Sequence, residues 1–348
     1  MRSEPWRTEG KHMRNWFENH GTDLDIVVSS RVRLARNVRG VAFPGRMTED
    51  AAAKLLDQVE AALSAAGTLS FARHDFHKLD AAHRGALLER HLVSRDLYNG
   101  RLPRGVFLSE DEGAAIMVNE EDHLRIQVIG SGLAIADCLA DAKRLDTLLD
   151  ESLGFAFSER LGYLTACPTN LGCGLRVSVM LHLPALTESG GIRNVMHAAG
   201  QVGLTVRGLY GEGTRADGAF YQISNARSLG STEQEIAERL ETAVKSIIES
   251  ERKLRRRLLD ENKLYLEDRV YRARGILQSA RLLRSEEALS LLSDLRLGAG
   301  VFSEIDAGQV DRLIRQIGAN TVSLSGEGIS TAAARDAARA ELVRKALV

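Results

Sequence analysis

The chain has 348 residues, with 46 Lys or Arg, 47 Asp or Glu and a formal net charge of −1 at pH 7. That length allows two domains with a sizeable core, and the balanced charge gives no overall field to attract nucleic acid or a membrane surface. The cysteines, Cys138, Cys167 and Cys173, are odd in number and lack framework spacing, so free thiols in a reducing compartment are expected. No apolar run approaches the roughly 18 residues of a membrane span, and residues 2–11 lack the apolar core of a signal peptide. A cytoplasmic protein without membrane or direct nucleic-acid binding is expected.

Strands and helices are predicted to alternate through the first 255 residues, after a tail at 1–20 that carries Trp6 and Trp16. Strands are predicted at 25–33, 71–76, 105–109, 114–119, 124–129, on both sides of a loop within 161–183, at 204–209 and at 219–223. Helices are predicted at 48–66, 81–93, 135–151, 191–200 and 232–259. Ser231 is the candidate N-cap of the last of these helices.

The pattern becomes wholly helical beyond about residue 255, with Leu291, Leu292, Leu295 and Leu297 suited to a bundle core. Helices are predicted there at 262–274, 276–296, 306–316 and 329–347. The predicted fold class is therefore α+β. We expect an N-terminal tail at 1–20, a mixed catalytic domain at 21–255 and a small all-helical C-terminal domain at 256–348.

A turn-rich loop at 167–176, Cys-Pro-Thr-Asn-Leu-Gly-Cys-Gly-Leu-Arg, precedes an apolar run. Its glycines would let the backbone approach a ligand closely. Arg176 is placed to meet an anion, and a positive charge close to Cys167 would favour its thiolate. The alternative is a tight surface turn with an ordinary arginine.

Four stretches together resemble the motifs of the guanidino (phosphagen) kinases, the family of creatine kinase and arginine kinase. Residues 167–172 match the reactive-cysteine signature, and residues 119–125 match the carboxylate motif. Residues 29–33 match the first nucleotide-binding segment. Residues 207–212 match the mobile substrate loop, and residues 221–225 match the strand behind it. The resemblance covers about residues 23–250. It implies a catalytic domain in which helices flank an antiparallel sheet.

The nucleotide site must be built from dispersed cations, because the sequence has no Walker A pattern, no zinc-ligand spacing and no Gly-x-Ser-x-Gly elbow. The resemblance implies five phosphate-holding arginines: Arg31, Arg33, Arg125, Arg176 and Arg207. A guanidinium is planar and permanently charged, and it binds phosphate oxygens in pairs. The other ATP contacts that it implies are Ser29, Ser30, Val32, His91, Val177, Ser178, Val179, Met180, Gly208, Leu209, Tyr210, Gly211 and Glu212. Without the resemblance, His91 is more simply an ordinary surface or packed histidine. ATP is expected with Mg²⁺ held through its phosphates rather than by a protein metal site.

The guanidino acceptor requires carboxylates, because a guanidinium has a pKa above about 12 and no free lone pair. The resemblance implies Glu121 and the loop residue Glu212 as the two that orient it and accept a proton. Cys167 completes the catalytic set as a thiolate that aligns the guanidinium, unless it is a reactive but dispensable thiol. Glu120, Asp122 and His123 are expected to be structural.

Two features favour an arginine side chain of a protein as the acceptor. The small-molecule enzymes of the family place a helical domain ahead of the segment at 29–33, and Ser29 comes too early for that domain. The segment Arg335-Asp-Ala-Ala-Arg-Ala340 (Arg335, Asp336, Ala337, Ala338, Arg339 and Ala340) also resembles the motif with which protein-arginine kinases bind phosphoarginine allosterically. Arg335 and Arg339 would hold the phosphate and Asp336 the guanidinium, unless this is only a charged surface helix.

The sequence thus predicts a protein-arginine kinase that makes ADP and Nω-phosphoarginine from ATP and a protein arginine. The alternatives are a small-molecule guanidino kinase and a non-catalytic regulator that binds phosphoarginine. By resemblance we expect a homodimer, a role in stress, an activator protein, and delivery of marked proteins to an AAA+ protease.

Overall fold

The computed structural model describes residues 21–65, 70–208 and 217–347. The strands in these residues are β1 (Val27–Arg36), β2 (Phe71–Asp75), β3 (Gly105–Ser109), β4 (Ala114–Val118), β5 (Leu124–Ser131), β6 (Phe157–Ser158), β7 (Gly162–Tyr163), β8 (Leu175–His182), β9 (Leu204–Gly208) and β10 (Phe220–Asn225). The helices are α1 (Glu49–Ala65), α2 (Ala81–Glu89), α3 (Arg95–Asn99), α4 (Ile135–Leu153), α5 (Pro184–Glu188), α6 (Ile192–Gln201), α7 (Glu233–Ser279), α8 (Ser285–Leu297), α9 (Ala307–Gln316), α10 (Ala319–Ser323) and α11 (Ala332–Leu347).

An eight-stranded antiparallel sheet in the order β2-β3-β4-β5-β1-β8-β10-β9 forms the centre of the catalytic region. Its strands alternate between two faces, as the twofold periodicity of a strand requires. Val32 and Val177 point into a core that α1, α4 and the first half of α7 cover. The opposite face of β5, β1 and β8 carries arginines, including Arg31 and Arg33. The predicted α+β class, with helices flanking an antiparallel sheet, is confirmed.

A second apolar cluster covers part of that opposite face. Leu87 and Leu97, from α2 and α3, pack there against Val106 and Met117 of β3 and β4. Because these short helices cover only one end of the sheet, β5, β1, β8 and β10 are left facing an open cleft.

The predicted helix at 232–259 is longer in the structure, because α7 runs to Ser279 with a local departure from helical geometry at Asn262 (φ −140°, ψ 43°). Its N-cap is Thr232 rather than Ser231, and the Thr232 hydroxyl and the Glu235 side chain form a reciprocal capping box. The helix continues because Leu266 and further apolar residues with helical spacing bury its second half against α8.

The residues beyond β10 that the structure describes form helices and no strand, as predicted. Their core includes Leu292, Leu295 and Leu297 fully buried, and Leu291 partly buried against them. A domain boundary at 255/256 stays a prediction, since α7 passes through that point without interruption.

Candidate active site

A cleft of about 650 Å³ lies on the arginine-bearing face of the sheet. It brings together eight of the side chains that the sequence predicts for catalysis and nucleotide binding. These are Arg31, Arg33, His91, Glu121, Arg125, Cys167, Arg176 and Arg207. They come from four strands and three connecting segments that lie far apart in the sequence, so the fold rather than local sequence assembles the site.

The five arginines repel one another across neighbouring strands. Arg33 lies directly opposite Arg176 in the β1–β8 register. Burial, with the charges of Arg176 and Arg125, lowers the pKa of Arg31 to about 10. Burial also lowers the pKa of Arg33 well below its usual range, and burial together with the charge of Arg207 lowers the pKa of Arg176. Guanidinium groups crowded in this way favour binding of a polyanion.

Unused donors point to the same ligand. Among the described residues, the Nε groups of Arg33 and Arg176 are buried and have no hydrogen-bond partner. Within that same part of the chain, Arg31 forms no salt bridge, and its Nε donates a long hydrogen bond of 3.4 Å to Ser178 Oγ. Buried guanidinium N–H groups without acceptors cost free energy unless an anion supplies the acceptors.

The carboxylate motif forms a tight turn that carries Glu120 and Glu121, of which Glu121 lines the cleft. Asn119 adopts φ 60°, and its side-chain amide donates to the carbonyls of Ala52 and Pro103, 2.9 and 2.8 Å away. Asn is one of the few non-glycine residues that tolerate this left-handed conformation. The turn is closed by a hydrogen bond from the Asn119 N–H to the carbonyl of His123.

The two glutamates of the turn have different environments. Glu120 is fully buried and pairs with Arg125, with Oε1 2.9 Å from Nη1, and also contacts Ser94. Glu121 is 37% exposed, and its Oε2 lies 3.3 Å from Arg125 Nη2. Burial and the nearby negative charges raise the pKa of Glu121, against the opposing effect of Arg125. A partly exposed carboxylate with a raised pKa is suited to accept a proton.

Asp122 fastens the carboxylate turn to the loop that carries Cys167. Its Oδ1 accepts hydrogen bonds from the Asn37 amide and from the backbone N–H of Ala166, both at 2.6 Å. His123 is buried, and its Nδ1 accepts a 3.0 Å hydrogen bond from the Val38 N–H. These contacts agree with the structural roles expected for Glu120, Asp122 and His123.

Cys167 lines the cleft at the start of a short turn, with its Sγ 3.0 Å from Thr169 Oγ1. Two glycines of this loop also allow close packing within the protein, and one of them, Gly174, lines the cleft. Gly172 has φ 106° and packs against the backbone of Leu229, and Gly174 has φ 67° and packs against Arg36. A Cβ at either position would collide with the protein's own chain, so here the glycines allow close packing of the loop.

Part of the predicted nucleotide set does not point into the cleft. Val32, Val177 and Val179 are fully buried on the core face, and the Ser30 hydroxyl bonds the Gly132 carbonyl, because strand residues alternate between faces. Only the backbone of these four residues could meet a nucleotide.

A small recess opens beside the main cleft. Its lining includes the predicted residues Ser29, Arg31, His91, Ser178 and Met180. Burial, with the charges of Arg31 and Arg315, lowers the pKa of His91 to about 4 and keeps its imidazole neutral.

The predicted loop residues Leu209, Tyr210, Gly211 and Glu212 lie outside the described residues, whereas Gly208 ends β9 and pairs with Tyr221.

Several residues that line the cleft were missed by the sequence reasoning. They are Ala35, Gly85, Leu88, Glu89, Val93, Ser94, Arg95, Asp96, Thr169, Asn170, Gln222 and Asn320. Gln222 had a usable signal, since it lies between the buried Tyr221 and Ile223 in a predicted strand. Asn320 had none, because it comes from the helical C-terminal region and belongs to no motif.

The C-terminal arginine motif on α11 is arranged differently from the prediction. Arg339 is 1% exposed and donates to the carbonyls of Ile317 and Leu283 and to the Asp336 carboxylate, at 2.6 to 2.7 Å. The Nε and Nη1 groups of Arg339 therefore donate to partners within the fold. Arg335 is half-buried and donates to the Ser330 carbonyl at 2.6 Å. Within the motif, Ala337 is exposed, Ala338 is half-buried and Ala340 is buried.

The described residues contain no group of three or more His, Cys, Asp or Glu side chains that could hold a metal ion. None of their helices, the long α7 included, combines the length and apolar content needed to cross a membrane.

Comparisons with known proteins agree with this geometry. Residues 54–254 match the model of the ATP:guanido phosphotransferase C-terminal catalytic domain, and residues 263–348 match the protein-arginine kinase McsB C-terminal domain. The protein-arginine kinase of Symbiobacterium thermophilum is 45% identical over 338 residues, which cover 95% of this chain and 96% of that protein. That of Clostridium novyi is 42% identical over 339 residues, which cover 96% and 98%.

Solved structures of guanidino kinases share the fold. The crystal structure of lombricine kinase is similar with a TM-score of 0.59 and 27% identity, over 67% of this chain and 68% of that one. The duplicated taurocyamine kinase from Schistosoma mansoni, with bound components of a transition-state analogue, has a TM-score of 0.60 and 27% identity, over 78% of this chain and 40% of that one. The chain therefore belongs to the ATP:guanido phosphotransferase family, and to those members that carry the protein-arginine kinase C-terminal domain.

Proposed function

We propose that this protein is a protein-arginine kinase, which transfers the γ-phosphoryl group of ATP to the guanidinium of arginine residues in proteins. The observation that carries the proposal is the single cleft in which five arginines face Glu121. Relatives of 40–45% identity over most of the chain are named protein-arginine kinases, which supports a protein rather than a free guanidine as the acceptor.

The arginines provide what phosphoryl transfer needs most, which is charge neutralisation and in-line positioning of the phosphates. Arg31, Arg33 and Arg176 line adjacent strands, and two of them have buried donors without acceptors. Triphosphate oxygens would supply these acceptors. ATP enters as its magnesium complex, with the metal bound to the phosphates of the substrate.

The carboxylate activates the acceptor. Glu121 orients the arginine guanidinium and accepts one of its protons as the N–P bond forms and the bond between the γ-phosphorus and the bridging oxygen of ADP breaks. Arg125 bridges Glu120 and Glu121, so it links the acceptor carboxylate to the phosphate-binding cations. Cys167 lines the same cleft and aligns the guanidinium, and Glu212 contributes the second carboxylate.

The remaining functional expectations rest on the family resemblance. We propose a cytoplasmic homodimer whose product marks proteins for degradation by an AAA+ protease in stress, together with an activator protein. The motif on α11 is proposed to bind phosphoarginine through Arg335 and Asp336, with Arg339 as an internal support.

The test is incubation of the protein with Mg²⁺–ATP and either casein or free arginine, followed by measurement of acid-labile phosphate. We expect acid-labile phosphate on casein and little on free arginine. The similarity to lombricine and taurocyamine kinases favours a small-molecule guanidino kinase as the second candidate. Efficient turnover of free arginine, with casein left unmodified, would support that candidate instead.

A further inference from the structure

The helical C-terminal region packs on the wall of the catalytic cleft where α10 meets α2. Glu89 is the last residue of α2, and its carboxylate accepts four hydrogen bonds from the first turn of α10. Its Oε1 accepts from the backbone and side-chain amides of Asn320 at 2.9 and 2.8 Å. Its Oε2 accepts from the backbone N–H and the hydroxyl of Thr321, both at 2.9 Å. Four donors on one carboxylate make this a strong and geometrically specific contact.

Two glycines make the close approach possible. A Cβ added at Gly85, one turn before Glu89 on α2, would overlap the side-chain amide of Asn320. A Cβ added at Gly318 would overlap the Glu89 carboxylate. Neither glycine has a positive φ, so the backbone itself would accept alanine. The packing between α2 and α10 is therefore what each glycine permits.

This contact forms part of the wall of the cleft. Glu89 and Asn320 line the cleft together with Arg31 and His91. His91 follows α2 after a single intervening residue, adopts φ 60°, and its carbonyl accepts a 2.9 Å hydrogen bond from Gln127 Nε2. A shift of α2 would therefore move His91 relative to Arg31.

The α10 side of the contact is itself held in place from α11. Arg339 Nε donates at 2.7 Å to the carbonyl of Ile317, the residue that precedes Gly318. The buried guanidinium thereby fixes the turn that presents Asn320 to Glu89. Contacts from Arg339 to Ile317 and from Asn320 to Glu89 therefore connect α11 to the wall of the cleft.

We propose that Glu89, Asn320 and Thr321 form a positioning joint, through which the helical region completes the nucleotide side of the cleft and sets the affinity for ATP. The nucleotide side is indicated because Arg31 and His91 also border the recess beside Met180. This inference rests on the ATP site of the proposed function. It assigns to Glu89 an indirect role, exerted through α2 and His91.

The test adds a Cβ on either side of the contact between α2 and α10. Gly85→Ala perturbs the catalytic side and Gly318→Ala the helical side, and Gly275→Ala is the matched control, because a Cβ at Gly275 on α7 meets nothing within 4 Å. ATP affinity is measured by titration calorimetry without any acceptor. Both joint variants should weaken ATP binding by at least about fivefold, or about 1 kcal/mol, while the control binds like the wild type. At saturating ATP, kcat should stay within about twofold, so the effect falls on KM.

Glu89→Gln is a milder second variant that keeps the shape of the side chain and would fold where a wedge does not. The amide nitrogen of the variant would face two N–H or O–H donors, so about half of the hydrogen bonds of the joint would be lost. ATP binding should therefore weaken again, with kcat preserved. If Glu89→Gln and a folded Gly85→Ala bind ATP within about 1.5-fold of wild type, the joint is structural only and the inference is overturned. Failure of the wild type to bind ATP would overturn the proposed function as well.

Discussion

Replacement of Glu121 by Gln tests the acceptor side of the cleft with little disturbance of the nucleotide side. The glutamine carbonyl keeps the position of Oε2, which lies 3.3 Å from Arg125 Nη2, so the cation and the buried Glu120 pair stay in place. What the variant loses is the proton acceptor. General-base catalysis contributes about 10²–10⁴ in rate, or roughly 3–5.5 kcal/mol of barrier. We expect kcat to fall by at least about 100-fold, with KM for ATP within about twofold of wild type.

The pH dependence gives a second readout of the same substitution. Burial raises the pKa of Glu121, and the base works only when it is ionised. The wild-type rate should therefore fall as the pH drops through this raised pKa, and Glu121→Gln should lack that acidic limb. Because the raised folded-state pKa makes the ionised carboxylate unfavourable to the fold at neutral pH, the Tm of the variant should be no lower than that of wild type.

Initial rates of casein phosphorylation against pH provide the assay, with Glu110→Gln as the control. Glu110 is an exposed glutamate between β3 and β4 that does not line the cleft. A Glu121→Gln protein that retains a rate within about tenfold of wild type, or keeps the acidic limb, would refute Glu121 as the base.

Three further predictions concern the arginines. Arg33→Gln should weaken ATP binding by about 10- to 100-fold, because charge-assisted hydrogen bonds to the phosphates are lost. The same change should raise the Tm of the ATP-free protein, because burial lowers the pKa of Arg33 and its charge is repelled by the neighbouring cations. A lower ATP-free Tm in calorimetry would contradict this. Arg339→Ala should lower the free energy of unfolding in denaturant by about 2–5 kcal/mol, because the carbonyls of Ile317 and Leu283 lose their donor. Arg335→Ala should change it by less than about 0.5 kcal/mol. Equal losses in the two variants would count against the buried role of Arg339. Arg335→Ala should leave ATP affinity unchanged and reduce the stimulation of initial rate by added phosphoarginine, and identical stimulation curves would mean that Arg335 is only a surface charge.

Much of the site could be predicted from strand periodicity and from the spacing of the motifs. Arg31 and Arg33 alternate along β1, so their common face could be inferred before their neighbours were known. The same rule, applied to β8, would have placed Val177 and Val179 in the core, where the structure buries them. In an extended segment only alternate side chains face one ligand, and here Ser178 and Met180 line the recess.

Other features depend on tertiary contacts that no local pattern encodes. Asn320 reaches the cleft only because α10 packs on α2, and the contact needs Gly85, which looks unremarkable within its helix. Arg339 shares a helix face with charged neighbours in the sequence, but α11 packs against α7, α9 and α10, and Arg339 is buried and bonds the carbonyls of Ile317 and Leu283. Burial of an individual arginine follows from the packing of whole helices.

The central claim is transfer of phosphate from ATP to a protein guanidinium in this cleft. The most direct measurement is ³¹P NMR of casein re-isolated by gel filtration after incubation with Mg²⁺–ATP, compared between the wild type and Glu121→Gln. The account predicts a phosphoramidate resonance that stays with casein, disappears on acid treatment and is nearly absent with the variant. A resonance that elutes only with free small molecules, an acid-stable phosphoester, or equal signals from the two proteins would contradict it.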